Sequence, residues 1–341
     1  MSLDITESLI GSFRPSKLLA NHKAGAPITS LDYDYTGQYL ISTGVDESIQ
    51  LYDVTRGKHL KSTYSKKYGC HLARFTYRDR NCVFASTKEN DIIRYLNLSD
   101  NSFIRYFKGH EGQVTGLEMA YGGDSFVSCS GVDGTVRLWD VRSSNCQSRL
   151  CLQESNGQGG LVIGLDGYSC VVAVFEMNSK VLRLQSLENL NDASIVSRDL
   201  SEILGKNGKI SKIEFLNNGK YILLTGAGGG SHYLVDAYKL SLIARLNKQT
   251  TFVAREYPDT GNLTVSPDCR FVIGGNGDGS LLIWDLGMLE KIGSGSGAVD
   301  LTPIKKLDND TGTLPRMVSF NPKFGMLSTA DTELCLWLPS T

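Results

Sequence analysis

The chain has 341 residues, 41% of them hydrophobic, which is enough to bury a large core. Its 35 basic and 36 acidic residues nearly cancel, so no overall charge attracts it to nucleic acid or to an anionic membrane. The longest apolar run, residues 170–175, is far shorter than the ~20 residues that span a bilayer. We therefore expect no direct membrane contact and no nucleic-acid interface.

Short segments that alternate apolar and polar residues recur along the chain, separated by Gly- and Asp-rich turns, and they predict antiparallel β-strands. The repeat is clearest in residues 108–141, where Gly109-His110 precedes the first segment and Trp139-Asp140 ends the third. These pairs at this spacing are typical of one blade of a WD-repeat β-propeller. Seven corresponding positions mark seven units: Tyr52-Asp53, Tyr95-Leu96, Trp139-Asp140, Gln185-Ser186, Val235-Asp236, Trp284-Asp285 and Trp337-Leu338.

The sequence thus predicts an all-β fold in which residues 1–341 form a single seven-bladed WD-repeat propeller. Residues 10–20 precede the first unit, whereas the seventh unit ends after its third strand. We expect Phe13–Leu19 to supply the missing outer strand of the last blade and to close the ring. Pro15 is compatible with this role, because an outer edge strand can leave one backbone position unpaired.

Three later units depart from the pattern. The fourth lacks both the tryptophan and the acidic turn, so it is predicted to be a divergent blade held by apolar packing. In the fifth, the Gly-rich turn at residues 226–230 indicates a hairpin, since no helix follows it to form a phosphate site. The sixth carries residues 287–302, whose Gly and Ser content predicts a flexible insertion, and its outer strand is expected near residues 303–307.

Buried polar side chains need partners, and the repeat supplies them. His22 stands before the first inner strand as a second histidine stands before the third, so both are interpreted as structural. In the third unit we assign four residues to a buried chain of hydrogen bonds: His110, Ser128 or Ser130, Asp133 and Trp139.

No residues combine a nucleophile with a base, pair two carboxylates or space metal ligands as catalysis would require. Asp308 and Asp310 begin like a calcium loop, but Ser319 stands where the twelfth residue should be Glu. A propeller enzyme or small-ligand binder would use the central channel, and the sequence shows no convergent ionisable residues around that axis. We therefore expect no catalytic activity, no cofactor and no metal.

Loops on a rigid scaffold are where binding residues concentrate. The loop between the first two units, residues 65–69, places three residues together without an adjacent acid: Lys66, Lys67 and Tyr68. The lysines suit a phosphorylated or acidic peptide, and the tyrosine can pack against a peptide side chain. An exposed lysine pair is otherwise only a solvated turn. Residues 247–261 are expected on the same face, with three residues as the second contact: Arg255, Glu256 and Tyr257.

Five stretches go beyond the generic repeat: residues 64–69 (YSKKYG), 93–96 (IRYL), 104–110 (IRYFKGH), 137–140 (RLWD) and 320–323 (FNPK). Together they resemble the WD-repeat subunit that the fungal COMPASS histone methyltransferase complex shares with the cleavage and polyadenylation factor. The resemblance covers nearly the whole chain and is weakest in the fourth unit and in residues 287–302. It implies a non-catalytic scaffold, monomeric within nuclear complexes for histone H3 lysine methylation, mRNA 3′-end processing and transcription termination.

The resemblance also implies the partners. Peptide segments of the methyltransferase catalytic subunit and of polyadenylation-factor subunits are expected to bind, as is the phosphorylated C-terminal domain of RNA polymerase II. Eight cysteines without a CxxC pair agree with a reducing compartment such as the nucleus. The alternative is a WD-repeat substrate receptor of a ubiquitin ligase, which the residues alone do not separate from the scaffold.

Overall fold

A computed structural model of the chain describes residues 5–77, 80–152, 160–166, 170–247, 249–253, 260–289 and 297–340. Within these residues the strands form seven sheets, one for each predicted unit, and helix is confined to short turns. None of the described helices is long and apolar enough to cross a membrane. The all-β, seven-bladed propeller is therefore confirmed.

The chain begins with helix α1 (Glu7–Ile10) and strand β1 (Phe13–Leu19). Blade 1 contains β2 (Ile28–Tyr33), β3 (Tyr39–Gly44), β4 (Ser48–Asp53) and β5 (Lys58–Tyr64). Blade 2 contains β6 (His71–Phe75), β7 (Asn81–Ala85), β8 (Ile93–Asn97) and β9 (Phe103–Phe107). Blade 3 contains β10 (Gly116–Met119), β11 (Ser125–Ser130), β12 (Thr135–Asp140) and β13 (Cys146–Cys151). Blade 4 contains β14 (Leu161–Asp166), β15 (Val171–Glu176), β16 (Val181–Ser186) and β17 (Val196–Asp199).

A short helix, α2 (Ser201–Leu204), leads into blade 5. Blade 5 contains β18 (Ile210–Phe215), β19 (Tyr221–Gly226), β20 (His232–Asp236) and β21 (Leu242–Leu246), with a single 3₁₀ turn at Ala227–Gly229. Blade 6 contains β22 (Leu263–Val265), β23 (Phe271–Gly275), β24 (Leu281–Asp285) and β26 (Lys305–Leu307). Strand β25 (Val299–Leu301) comes between β24 and β26 in the chain but joins the sheet of blade 5. Blade 7 contains β27 (Met317–Phe320), β28 (Leu327–Ala330) and β29 (Leu334–Pro339).

Burial along each strand follows from the stacking of sheets in a ring. The middle strands β3 and β4 are covered on both faces by neighbouring blades, and only Tyr39 among their residues is not fully buried. The outer strand β13 instead alternates half-buried and exposed residues, as expected for a strand with one solvated face. The described residues form seven apolar clusters, and each draws its members from two adjacent blades.

The N-terminal strand β1 closes the ring. It pairs antiparallel with β29, from Phe13 opposite Pro339 to Leu19 opposite Leu334. The register shifts between Pro15 and Lys17, so the proline sits beside an irregularity on the outer edge of the sheet. The last blade therefore combines strands from both ends of the chain.

The sequence does not predict strand β25. It falls inside the segment expected to be a flexible insertion, residues 287–302, yet it pairs parallel with β21 and becomes a fifth strand of blade 5. Leu301, which lies opposite Leu246, is 6% exposed and packs in the cluster between blades 5 and 6. The chain then returns to blade 6, where β26 supplies the outer strand close to its predicted position.

Candidate peptide-binding site

The loop at residues 65–69 is held tightly between blades 1 and 2. The backbone N–H groups of Tyr68 and Gly69 donate to the Ser65 carbonyl at 3.1 and 2.6 Å, which closes the turn. Gly69 has a φ of 69°, and a Cβ at this position would collide with the Thr87 hydroxyl, so the turn requires glycine. The Thr87 N–H in turn donates to the Tyr68 carbonyl at 3.0 Å and ties the loop to blade 2.

Lys66 and Lys67 project from this turn into solvent. The Lys66 ammonium lies 5.9 Å from the centre of the Tyr64 ring, and the Lys67 ammonium lies 5.3 Å from the centre of the Tyr68 ring. In the part of the chain that the structure describes, no carboxylate is within ion-pair distance of either ammonium. Both charges are therefore available to an anionic ligand.

Arg94, to which the sequence pattern assigned no binding role, lies beneath this loop. It is 2% exposed, and its guanidinium carbon lies 3.7 Å from the centre of the Tyr68 ring. Nη2 donates to the Asn90 side chain at 3.2 Å and Nη1 donates to the Ser86 hydroxyl, whereas Nε has no partner in the part of the chain that the structure describes. Burial lowers the pKa of Arg94, yet a guanidinium remains charged at neutral pH. A buried positive charge thus stacks beneath the Tyr68 ring.

The outer strand β9 adds an apolar rim next to the loop. Phe103 and Tyr106 are 38% and 41% exposed. The Phe103 ring lies 6.1 Å from the Tyr68 ring and 5.6 Å from the Tyr106 ring, centre to centre. Exposed aromatic rings beside unpaired positive charges are typical of protein interaction surfaces. We call this surface the basic–aromatic patch: Tyr64, Lys66, Lys67, Tyr68, Arg94, Phe103 and Tyr106.

The second predicted contact, Arg255, Glu256 and Tyr257, lies outside the described residues. The residues nearest to it that the structure describes are Val253, which is 81% exposed, and Thr260. Of the six predicted contact residues, the structure therefore places three, and it places all three in one turn: Lys66, Lys67 and Tyr68.

The four residues assigned to blade 3 lie in one chain of hydrogen bonds. His110 Nδ1 is 2.7 Å from Asp133 Oδ2, and His110 Nε2 is 2.7 Å from Ser128 Oγ. Trp139 Nε1 donates to the same Ser128 Oγ at 2.8 Å. Ser130, the alternative member, finds no partner for its buried hydroxyl among the described residues. Burial alone would raise the pKa of Asp133, but hydrogen bonds, that from His110 foremost, hold this pKa at about 2.

A second chain of the same kind lies in blade 1. His22 Nε2 is 2.7 Å from Ser42 Oγ, and His22 Nδ1 is 3.0 Å from Asp46 Oδ1. Tyr52 replaces the tryptophan at the end of the third strand and is fully buried. His22 and His110 therefore both serve the fold, and their polar atoms are occupied by partners within their own blades.

Two further histidines should make the fold sensitive to acid. His71 and His232 are 8% and 0% exposed, and burial lowers the pKa of each to about 4, with the charge of Arg74 adding to the shift of His71. An unfolded histidine takes up its proton near pH ~6.5, so each contribution is complete above that pH and is lost as the pH falls toward 4. We expect about 2 kcal/mol of unfolding free energy to be lost per histidine between about pH 7.5 and about pH 5, measured by urea denaturation.

The His232→Gln variant isolates the contribution of His232 to the pH dependence of the unfolding free energy. The variant should lose less unfolding free energy on acidification than the wild type does, even if its stability at neutral pH differs. Asp32 acts in the opposite direction, because burial raises its pKa to about 7 and only the folded state then gains a proton on acidification. If the variant and the wild type lose equal free energy on acidification, His232 does not carry the effect.

Ionisable residues do converge near the axis, contrary to the expectation from sequence. Arg74 donates to both carboxylate oxygens of Glu118, at 3.0 and 3.3 Å. Asp32 lines the same cavity and accepts the backbone N–H of Phe75 at 2.7 Å. The three charged side chains come from the inner strands of three blades, and no Ser, Cys, His or Lys accompanies them among the described lining residues. Nor do the described residues contain a group of three or more His, Cys, Asp or Glu that could hold a metal ion.

Comparison with known proteins defines the class first. Residues 13–53, 101–140 and 260–285 match the family model of the WD domain, G-beta repeat. These stretches cover β1 with the first three strands of blade 1, β9 with the first three strands of blade 3, and the first three strands of blade 6. The fold and the matches together define a WD-repeat propeller.

More specific relatives cover nearly the whole chain. It is 31% identical to the Set1 complex component swd2 of Schizosaccharomyces pombe, over 98% of this chain and 99% of that protein. It is 33% identical to the COMPASS component SWD2 of Saccharomyces cerevisiae, over 94% and 92%. It is 31% identical to WD repeat-containing protein 82 of Drosophila melanogaster, over 100% and 99%. The chain therefore belongs to the Swd2 family of WD-repeat proteins.

Proposed function

We propose that the protein is a non-catalytic adaptor subunit of a nuclear histone H3 lysine methyltransferase complex of the Set1/COMPASS kind. Full-length similarity to the Set1 complex component swd2 and the COMPASS component SWD2 supports this assignment. The single structural observation that carries it is the basic–aromatic patch, where two unpaired lysine charges lie over tyrosine rings on a rigid turn. A surface of this kind holds a partner without acting on it chemically.

The chemistry of the patch favours acidic or phosphorylated peptide segments. Lys66 and Lys67 attract anionic groups over short distances, while Tyr68 and Phe103 offer flat apolar area at small entropic cost. The candidate segments belong to the methyltransferase catalytic subunit, to subunits of the cleavage and polyadenylation factor and to the phosphorylated C-terminal domain of RNA polymerase II. The last two rest on the sequence resemblance, which also extends the proposed role to mRNA 3′-end processing and transcription termination.

Purification of the tagged protein from nuclear extract tests the adaptor role directly. Mass spectrometry should identify histone methyltransferase subunits, and also polyadenylation-factor subunits if the wider role holds. Recovery of ubiquitin-ligase subunits in their place would instead support a substrate receptor. A preparation that contains neither class of complex contradicts the proposal.

Charge reversal tests the patch itself. The Lys66→Glu, Lys67→Glu double variant should keep the wild-type melting temperature, because both side chains are exposed and unpaired. Its Kd for a serine-phosphorylated polymerase-tail peptide should rise about tenfold or more at low salt. Fluorescence anisotropy measures the Kd, and the difference between variant and wild type should shrink as salt screens the charges.

A matched control lies on the same face between blades 4 and 5. Lys206 and Lys209 are also exposed and also lie in a loop from an outer strand to the next inner strand. The Lys206→Glu, Lys209→Glu variant changes the net charge equally and should bind the peptide as the wild type does. Equal weakening in both variants would mean that only overall charge matters, and wild-type binding by both would place the site elsewhere.

A further inference from the structure

A cavity of 310 Å³ opens near the propeller axis on the face opposite the basic–aromatic patch. Its rim is formed by turns that follow the inner strands β2, β6 and β10, whereas the patch is built on a loop that precedes an inner strand. Because neighbouring strands are antiparallel, these two kinds of loop lie at opposite ends of a blade. A ligand in the cavity would therefore not compete with one on the patch.

Three tyrosines occupy the same position in three consecutive blades around this cavity. Tyr35, Tyr77 and Tyr121 each lie two residues beyond the end of an inner strand. The Tyr35 and Tyr77 rings stack with centres 5.3 Å apart and planes 19° apart, and the Tyr121 ring meets that of Tyr77 edge-on at 5.6 Å. Tyr35 is 48% exposed and Tyr121 is 54% exposed. The three rings thus form an aromatic wall, in which Tyr35 and Tyr121 keep exposed ring surface.

Carboxyl groups outnumber positive charges among the described lining residues. Arg74 is the cation of this set, and it is bound to the Glu118 carboxylate at 3.0 Å. Besides Glu118, the acidic residues Asp32 and Asp34 line the same cavity. Aromatic faces and an excess of carboxylate oxygens are both complementary to a cation.

We propose that this cavity, the axial cavity, binds the side chain of an arginine in a basic peptide segment of a partner protein. The guanidinium stacks on the Tyr35 ring and donates to the Asp32 carboxylate. A planar guanidinium is weakly hydrated and stacks on aromatic rings, whereas the compact ammonium of lysine is strongly hydrated and gains less there. This site goes beyond the proposed function, because its ligand is opposite in charge to that of the basic–aromatic patch. One ring then holds an acidic and a basic segment at the same time.

Three labelled peptides of equal length test the cation requirement: Gly-Ser-Arg-Ser-Gly and the same sequence with lysine or citrulline in place of arginine. Each is titrated with the full-length chain, and fluorescence anisotropy gives the Kd. Citrulline keeps the shape of arginine but has no charge, so it should bind about tenfold more weakly. Lysine should bind about threefold more weakly than arginine. Equal affinity for arginine and citrulline overturns the cation site, and equal affinity for arginine and lysine overturns the assignment to arginine.

Substitutions in the cavity locate the site. Tyr35→Ala should weaken binding of the arginine peptide about fivefold, since it removes an exposed ring. The matched control is Tyr238→Ala, because Tyr238 is 72% exposed in the turn between β20 and β21, on the same face but outside the cavity. The control should bind as the wild type does. Equal loss in both variants, or no loss with Tyr35→Ala, contradicts the location.

The pH dependence distinguishes a direct role of Asp32 from a structural one. Burial raises the pKa of Asp32 to about 7, opposed by Arg74 and the Phe75 N–H and assisted by Glu118 and Asp34. A cation favours the ionised carboxylate, so binding of the arginine peptide should strengthen severalfold from about pH 6 to about pH 8. The Asp32→Asn variant should lose this pH dependence and bind about tenfold more weakly at about pH 8. A loss that is equal at every pH would mean that Asp32 only supports the fold.

The two proposed binding surfaces can be tested independently of each other. Lys66→Glu with Lys67→Glu should leave binding of the arginine peptide unchanged, and Tyr35→Ala should leave binding of the phosphorylated peptide unchanged. If either substitution weakens both ligands, the two surfaces are not independent and the assignment of opposite charges to opposite faces is wrong.

Discussion

Removal of residues 1–19 is expected to prevent the folded protein from accumulating. The deletion takes away β1 and leaves β29, whose residues 334–339 are paired along its length, as an open sheet edge. It also removes Ile10 and Phe13, both 0% exposed, from the cluster between blades 6 and 7. Losing two such side chains costs about 5 kcal/mol or more, which approaches the whole stability of many domains. Solubility after expression, size-exclusion chromatography and thermal melting measure the effect.

A matched pair of substitutions on the same strand separates burial from mere truncation. Phe13→Ala should lower the free energy of unfolding by about 3–5 kcal/mol, because the ring packs within 6.1 Å of the Phe320 ring, centre to centre. Leu18→Ala, on a side chain that is 41% exposed, should cost less than about 1 kcal/mol. A truncated chain that melts as the wild type does would show that the ring does not need β1.

The blades themselves could be predicted because their signals are local. Period-2 alternation, Gly/Asp turns and a tryptophan, where it is present, in the third strand can all be recognised within one repeat. The closing strand could also be predicted, by counting strands. The seventh unit has only three strands of its own, and residues 10–20 belong to no other unit. The divergent fourth blade also forms, although Gln185 stands in the tryptophan position and donates to the Leu190 carbonyl at 3.1 Å.

Strand β25 could not be predicted in the same way. It has three residues, Val299–Leu301, and its partner β21 lies in the preceding blade. The Gly- and Ser-rich stretch before β25 indicates a flexible loop instead of a strand. In addition, parallel strands are not joined by a hairpin turn, so no turn motif marks the pair in the sequence. Its position is set by tertiary packing of Leu301 between two blades, which no local pattern records.

The convergence of charged residues at the axis could have been predicted by aligning the repeats. Asp32, Arg74 and Glu118 each precede the last residue of an inner strand, so they occupy one register in three successive blades. In a propeller, equal register means equal height along the axis. Arg94 is different. The alternating pattern of β8 identifies it as a strand residue, but its stacking against Tyr68 depends on how the loop that contains Tyr68 folds, and the pattern does not predict that.

The loop residues Lys66, Lys67 and Tyr68 lie together as the sequence suggested, on a turn that Gly69 fixes. Their exposure follows from the position of the turn between an outer and an inner strand. Which ligand they bind stays a prediction, because partner chemistry depends on a surface that the chain shares with a second molecule.

The hydrogen-bond chain of blade 3 links the sequence motif to stability. Trp139 is 0% exposed and stacks with Phe126 at 6.2 Å, centre to centre, while its Nε1 donates to Ser128. Asp133 accepts from the backbone N–H groups of Glu111 and Thr135 at 3.0 and 2.9 Å and faces His110 at 2.7 Å. The carboxylate thus joins the entry loop of the blade to the turn between its second and third strands.

Trp139→Ala is expected to lower the free energy of unfolding by about 3–5 kcal/mol, since it opens a cavity and leaves Ser128 Oγ without its indole donor. Asp133→Ala should destabilise the fold by about 1–3 kcal/mol or more, because two N–H groups and a histidine lose their acceptor. The matched control is a pair of equally buried serines. Ser128→Ala should cost about 1–3 kcal/mol. Ser130→Ala should stay within about 0.5 kcal/mol of the wild type, because the Ser130 hydroxyl has no partner among the described residues. Urea denaturation gives all four values, and peptide binding by the folded fraction should not change. Equal destabilisation by the two serine substitutions would show that Ser128 is not the link between His110 and Trp139.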